Sequence, residues 1–237
     1  MKKEIKKGKI VISKNGPYIV SGKLPLEKET IMPDEEGFSY EWKKGEKYPD
    51  QEAYALCRCG KSKNKPYCDG SHVADNFDGT ETAGRKKYLE QVDLKIEGPE
   101  LELTDVQSLC SNGRFCDRKE GTWNLTEKSN DPQKKKMAIE QSCNCPSGRL
   151  VTWDKKTKKA YEPEFNESLS VIEDSHAQVS GPIWVKGKVQ VKSSDGHIYE
   201  KRNRVTLCRC GKSANKPFCD ATHIRVGFND GDESLKG

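Results

Sequence analysis

The chain has 237 residues, of which 32% are hydrophobic and 33% charged, with a net charge of +5 and ten cysteines. That length allows one large domain or two to three small ones, and so low an apolar fraction points to small cores held by metals or disulfides. No apolar run has the length of a signal peptide or a membrane span, so the expectation is a cytoplasmic chain with no membrane contact and with reduced thiols available as metal ligands.

The predicted elements run as follows. Residues 16–26 (GPYIVSGKLPL) start with Gly-Pro and continue as alternating, strand-like sequence. A polar stretch between Glu27 and Tyr48 reads as a hairpin or loop. Residues 57–72 (CRCGKSKNKPYCDGSH) follow, and Phe77 lies five positions after the block's histidine. Next comes a different segment, 85–165. It is expected to hold a strand at Tyr88 to Ile96, a short helix start at Thr104-Asp105 and a loop with Cys110 and Cys116. A helix opening at Asp131-Pro132 is expected to run to about Ser142, followed by Cys143-Asn-Cys145-Pro146 and a strand at Leu150 to Trp153. The opening pattern then recurs. Residues 181–191 (GPIWVKGKVQV) repeat the Gly-Pro strand, residues 208–223 (CRCGKSANKPFCDATH) repeat the block, and Phe228 again lies five positions on. The first copy is longer by about fourteen residues, all within the Glu27–Tyr48 stretch. The expected units are therefore 1–84, 85–165 and 166–237, in an α+β architecture of small β-rich lobes around an insert.

Each block places Cys57, Cys59, Cys68 and His72, or Cys208, Cys210, Cys219 and His223, at the same spacing. Cys-x-Cys brings two thiolates close together. The third cysteine and the histidine stand four apart, and on a helix opened by Pro66 or Pro217 they would share a face. Two sulfurs plus one sulfur and one nitrogen suit a 2Fe-2S cluster, which takes two ligands per iron. Tetrahedral zinc takes the same donors, and spacing alone does not separate the two.

The first block resembles the CDGSH iron–sulfur motif of the mitoNEET family at every defined position, including Ser62, Pro66, Asp69, Gly70 and Ser71. The second departs at Ala221, where the family has Gly, so the backbone there is in question if that position needs a positive φ. The resemblance implies a 2Fe-2S cluster on each set of three cysteines and one histidine, within a small β-rich cap. It also implies a pseudo-twofold pair inside one chain, because family members are usually homodimers. Asp69 and Asp220 are expected to bind backbone donors near a helix start. Arg58, Lys61, Lys65 and their counterparts Arg209, Lys212, Lys216 place positive charge near the sites.

The insert contains Cys110, Cys116, Cys143 and Cys145. Cys145-Pro146 and the stretch CPSGRLVTW resemble the ending of divergent single-cluster ferredoxin domains, and Gly113 stands where their middle cysteine is missing. That resemblance implies a 3Fe-4S cluster on Cys110, Cys116 and Cys145, or a 4Fe-4S cluster if Cys143 joins them; the four-cysteine set is the expectation, since a spare thiol beside a cluster is a liability. A four-cysteine zinc site is the alternative. Trp123 and Trp153 read as core or cluster shielding, and His176 and His197 as surface residues.

No Gly-rich phosphate loop, nucleophile elbow or HExxH helix is present, so no catalytic residue is assigned and a carrier is expected in place of an enzyme. The basic clusters (Lys134 to Lys136; Lys155, Lys156, Lys158, Lys159) are short and both charge signs are mixed along the chain, which argues against nucleic acid. Expected functions are electron transfer to an unknown redox partner, cluster delivery to an apo-acceptor or redox sensing through the histidine-ligated sites, and, if the sites hold zinc, a zinc-stabilised interaction module. The expected arrangement is a pseudo-dimer within one chain, and the sequence does not give the oligomeric state.

Overall fold

The computed structural model describes residues 7–235. Its mixed α+β architecture contains three sheets. Strands β1 (Lys9–Ile12), β2 (Tyr18–Ser21) and β5 (Ala53–Leu56) form one sheet with β11 (Gln190–Lys192), in the order β11-β1-β2-β5. Strands β9 (Ser168–Asp174), β10 (Val179–Lys186) and β12 (Arg204–Leu207) form another with β3 (Leu26–Pro33) and β4 (Ser39–Lys47), in the order β12-β10-β9-β3-β4. The second half thus lends β11 to the first half's sheet, and the first half lends β3, with β4 beside it, to the second half's. The exchange is symmetric in register: β1 runs parallel to β11 with Ile10 opposite Val191, and β9 runs parallel to β3 with Leu169 opposite Leu26.

A single core fills the interface. Ile10, Tyr18, Val20 and Leu56 of the first half pack with Leu169, Ile183, Val185 and Leu207 of the second, all almost wholly buried. The described residues of segments 1–84 and 166–237 therefore share both sheets, and neither half can bury its apolar face alone.

The extra residues of the first copy form the β3–β4 hairpin. It serves as a docking arm. Trp42 on β4 meets Phe115 and Trp184 at ring-centroid distances of 4.9 and 4.7 Å, and its Nε1 donates to the Asn144 carbonyl at 3.3 Å. Burying aromatic rings contributes about 1.5–3 kcal/mol each, enough to fix the insert on the second half's sheet.

The insert carries the third sheet, β6 (Leu94–Glu97), β7 (Leu101–Asp105) and β8 (Leu150–Asp154), under helices α2 (Gly121–Glu127) and α3 (Pro132–Asn144). Asp131 caps α3, its carboxylate accepting from Gln133 N at 2.8 Å, as the Asp-Pro start predicts. Two expectations are corrected, and one helix was not expected. Tyr88–Glu90 is a 3-10 turn, and the strand begins only at Leu94. Thr104-Asp105 ends β7 and starts no helix, because β6 and β8 flank β7 and satisfy its backbone from both sides. Helix α2, which no sequence signal announced, opens at Gly121, which has φ 78°. Among the described residues no helix is long and apolar enough to cross a membrane.

Candidate metal centres

Both blocks hang from the ends of equivalent strands. Leu56 closes β5 and Leu207 closes β12; the chain then loops out and returns so that Tyr67 bridges Leu56 and Phe218 bridges Leu207. Cys57 N donates to Pro66 O and Cys208 N to Pro217 O, both at 2.8 Å. The loop is organised by its own side chains. Ser62 Oγ donates to Tyr67 O at 2.6 Å while accepting from Asn64 N at 3.0 Å. Asp69 accepts from Lys63 N at 2.8 Å and from Ser71 N at 3.0 Å, and Asp220 accepts from Ala214 N and Thr222 N at 2.8 and 3.0 Å. Both aspartates thus hold backbone donors, as the sequence predicts, and the Ser71 hydroxyl together with these amides keeps Asp69 well below the usual carboxylate range.

The local helix geometry differs from expectation. Pro66 and Pro217 follow cis peptide bonds within the loop, and Cys68 and Cys219 lie before the helices, on extended returning chain. Only the histidines are helical, on α1 (Ser71–Ala74) and α4 (Thr222–Arg225). The turn between cysteine and histidine passes through Gly70 at φ 89° and Ala221 at φ 66°. Ala221 therefore occupies the left-handed region that the family fills with glycine.

The donors fall into pairs. Cys57 Sγ and Cys59 Sγ are 3.8 Å apart, and Cys208 Sγ and Cys210 Sγ 3.7 Å. Cys68 Sγ is 3.5 Å from His72 Nδ1, and Cys219 Sγ 3.4 Å from His223 Nδ1. Metal–sulfur bonds of about 2.3 Å at a tetrahedral centre put two sulfurs roughly 3.7 Å apart, so each pair matches one metal's edge. No three donors of either block converge within 4.8 Å of one another; among the described residues only Glu173, Asp230 and Asp232 do so. Single-metal zinc coordination needs such convergence, and two-plus-two ligation does not. The donor set fits a two-metal cluster, with Nδ1 of each histidine facing inward. Burial pushes the Cys59 thiol up to about 11 and Cys219 well up, so these two would bind as thiolates only beside a positive metal.

The two sites differ in cover. His72 lines an open cleft of about 390 Å³ with Lys14, Asn15, Val73, Asn76 and Phe77. His223 is only 4% exposed, and burial, with Arg209 adding, pushes its imidazole down to about 4. Thr82 N and Ala83 N, in the strap that follows the first block, donate to Lys216 O at 2.8 Å, and Asn215 Nδ2 donates to Ser108 O of the insert at 2.9 Å. The loops themselves meet back to back: a Cβ on Gly60 would lie 2.7 Å from Cys210 O, and one on Gly211 2.5 Å from Cys59 O.

In the insert, Cys110, Cys116 and Cys145 line one small cavity with Gly113, Arg114 and Pro146. A Cβ on Gly113 would lie 3.1 Å from Pro146 Cδ, so little space remains for a ligand side chain at that position. Cys143 does not line the cavity. It sits in the last turn of α3, and its Sγ points to Tyr161 O at 3.6 Å. The structure thus brings three of the four expected cysteines to one cavity and leaves Cys143 apart from them: on α3, a side chain two residues before Cys145 faces the opposite side from the loop. Neither Trp123 nor Trp153 lines this cavity. Trp153 borders an outer groove with Leu89 and Val92, and its Nε1 donates to Thr104 Oγ1 at 2.9 Å. His176 is exposed and His197 half-buried against Tyr199, apart from all three sites.

Arg204 was not foreseen. Wholly buried on β12, its Nη1 donates to Ser142 O, Cys143 O and Cys145 O at 2.6, 3.0 and 2.9 Å, and its Nε and Nη2 pair with Glu162 at 2.8 and 2.9 Å. It holds the Cys145 loop to the second half. An arginine at the head of a short, mostly apolar edge strand (Arg-Val-Thr-Leu) was its only sequence signal.

These centres define an iron–sulfur protein. Residues 15–73 and 180–224 match the family model described as iron-binding zinc finger CDGSH type, and residues 96–155 match the one described as divergent 4Fe-4S mono-cluster. The chain thus carries two CDGSH regions flanking a divergent ferredoxin-type region. It is also similar to a CDGSH iron-sulfur domain-containing protein 2 homolog from Drosophila virilis, 60% identical over 30 residues, which is 13% of this chain and 23% of that protein. No solved structure matches.

Proposed function

We propose that this chain is a one-electron carrier with two 2Fe-2S clusters, one on Cys57, Cys59, Cys68 and His72 and one on Cys208, Cys210, Cys219 and His223. A third cluster, 3Fe-4S, is held by Cys110, Cys116 and Cys145. The carrying observation is the pairing of donors at 3.4–3.8 Å with no convergence of three. Such clusters supply reversible one-electron chemistry. The chain's residues supply their spacing: the two block loops touch at Gly60 and Gly211, and the insert is bolted to the second block by Asn215 and Arg204. This supports a linear order of insert, second block, first block. Iron, sulfide and zinc counts on anaerobically purified protein, with EPR before and after reduction, test the reading. Iron and sulfide at three sites, with a paramagnetic signal before reduction from the insert alone, supports it; stoichiometric zinc refutes it.

A second reading, delivery of a cluster to an acceptor, is favoured by the open cleft at His72. It requires that the first site empty into an apo-acceptor, and that His72→Cys slow this more than His223→Cys.

A further inference from the structure

We infer that the two CDGSH sites are unequal in charge, and that the first is where a transferred electron comes to rest. This rests on the proposed electron-transfer function.

Between the paired cysteines of each block lies an arginine, Arg58 or Arg209, each 1% exposed. The two are held alike. Arg58 Nε donates to Gly16 O at 2.8 Å, as Arg209 Nε does to Gly181 O at 2.8 Å. Arg58 Nη2 donates to Ser13 O at 3.0 Å, as Arg209 Nη2 does to Ile172 O at 2.9 Å. Phe77 lies 5.3 Å under Arg58 and Phe228 5.5 Å under Arg209.

The surroundings then diverge at two matched positions. The residue after Ile172 is Glu173, whose carboxylate accepts from Arg209 Nη2 at 2.7 Å; the residue after Ser13 is Lys14, which is exposed. Two residues after Phe228 stands Asp230, which accepts from Arg209 Nη1 at 2.5 Å. Two residues after Phe77 stands Gly79, which offers Arg58 Nη1 only its carbonyl, at 2.9 Å. Asp78 feels Arg58 but is exposed, and it accepts from Thr80 N and Oγ1 at 2.9 and 2.6 Å. Arg209 is thus paired with two carboxylates, Glu173 fully buried and Asp230 partly so, and Asp230 alone would offset its charge. Arg58 is a buried cation set among carbonyls.

A cation beside thiolate ligands favours one more negative charge at that site, and buried charges act through a low effective dielectric. An electron arriving at the second site therefore passes to the first: one site loses the electron the other gains, with no further reactant. The first site is also the one with an open cleft, at His72, where a partner can collect it.

The test is an anaerobic potentiometric titration of the full, cluster-loaded chain, followed by EPR of the reduced 2Fe-2S signals. His72→Cys and His223→Cys, each altering its own site's signal, assign them. The expected result is a preference for the first site of about tenfold or more, equivalent to about 59 mV for one electron. Asp230→Asn, which keeps the shape, should reduce that preference at least about threefold, and Lys14→Glu, on the surface, should reduce it in the same direction. Equal potentials, a second site that reduces first, or a preference unmoved by both variants overturns the inference while leaving electron transfer standing. Failure of either site to reduce reversibly overturns electron transfer, and this inference with it.

Discussion

Replacing Arg204 with methionine tests whether the insert's metal centre is held in place from the second CDGSH half. The arginine's side chain is fully buried, and Glu162 is 29% exposed. Its removal strips a donor from three carbonyls at the end of α3 and leaves Glu162 without its cation. Breaking a buried ion pair from one side costs about 3–5 kcal/mol. The lower end applies, because Ser142 O still accepts from Cys145 N and Cys145 O from Gly148 N, both at 3.2 Å, and only Cys143 O among the three lacks another donor there. A loss of about 3 kcal/mol in a chain of this size lowers Tm by roughly 6–12 °C. Because Cys145 lies in the released loop, the insert should lose its iron first, seen as loss of the EPR signal of the oxidised protein while the reduced 2Fe-2S signals persist. Arg204→Lys, which keeps the charge but loses the planar fork, should fall between. An Arg204→Met protein with wild-type Tm and a full insert signal, or one that lost only the 2Fe-2S signals, would refute the latch.

Cys143→Ser should leave the insert's iron content unchanged, whereas serine at Cys110, Cys116 or Cys145 should abolish it; iron analysis decides. Gly70→Ala meets nothing within 4 Å, so its cost is purely conformational, about 1 kcal/mol, and Ala221→Gly should be neutral to about 1 kcal/mol stabilising. Urea unfolding of both, with G70A the less stable, checks the pair. Gly211→Ala drives a Cβ to 2.5 Å from Cys59 O at φ 76°, and should cost at least about 2 kcal/mol; unchanged stability would mean that the loops do not touch. In acid, burial holds the His223 imidazole neutral down to about 4 from its ordinary 6.5. Its folded-state pKa is depressed, so its contribution to stability is complete above 6.5 and is lost as pH falls toward 4. Visible absorbance and EPR at pH 5 should show the first site, open at His72, bleaching before the second; simultaneous loss contradicts this.

The pairing of donors was legible because a repeated Cys-x-Cys with Cys-x3-His keeps those side chains close whatever metal they hold. The strands were legible from the Gly-Pro repeats, and α3 from its Asp-Pro cap. What escaped was set by contacts distant in sequence. Nothing local says that Leu26 pairs with Leu169, so the strand exchange was invisible. Thr104-Asp105 has the composition of a helix start, yet becomes central strand because neighbours on both sides complete its hydrogen bonds. Cys143 carries the same thiol as Cys145, and only the facing of α3's last turn separates them. Arg58 and Arg209 look identical in sequence; their difference lies in Glu173 and Asp230, 36 and 21 positions from Arg209.

Joining the two halves in one chain explains why such differences can exist. In a symmetric pair of identical subunits, any residue added to one site is added to both. Here the β3–β4 hairpin occurs once and docks the insert through Trp42. The 80–84 strap crosses to cover the second block's loop, and Glu173 and Asp230 compensate only Arg209. Each asymmetry acts in the same direction. The second site becomes enclosed, charge-compensated and attached to the insert, and the first stays open and cationic. A chain arranged in this way has an inside and an outside for charge, which two equal sites cannot have.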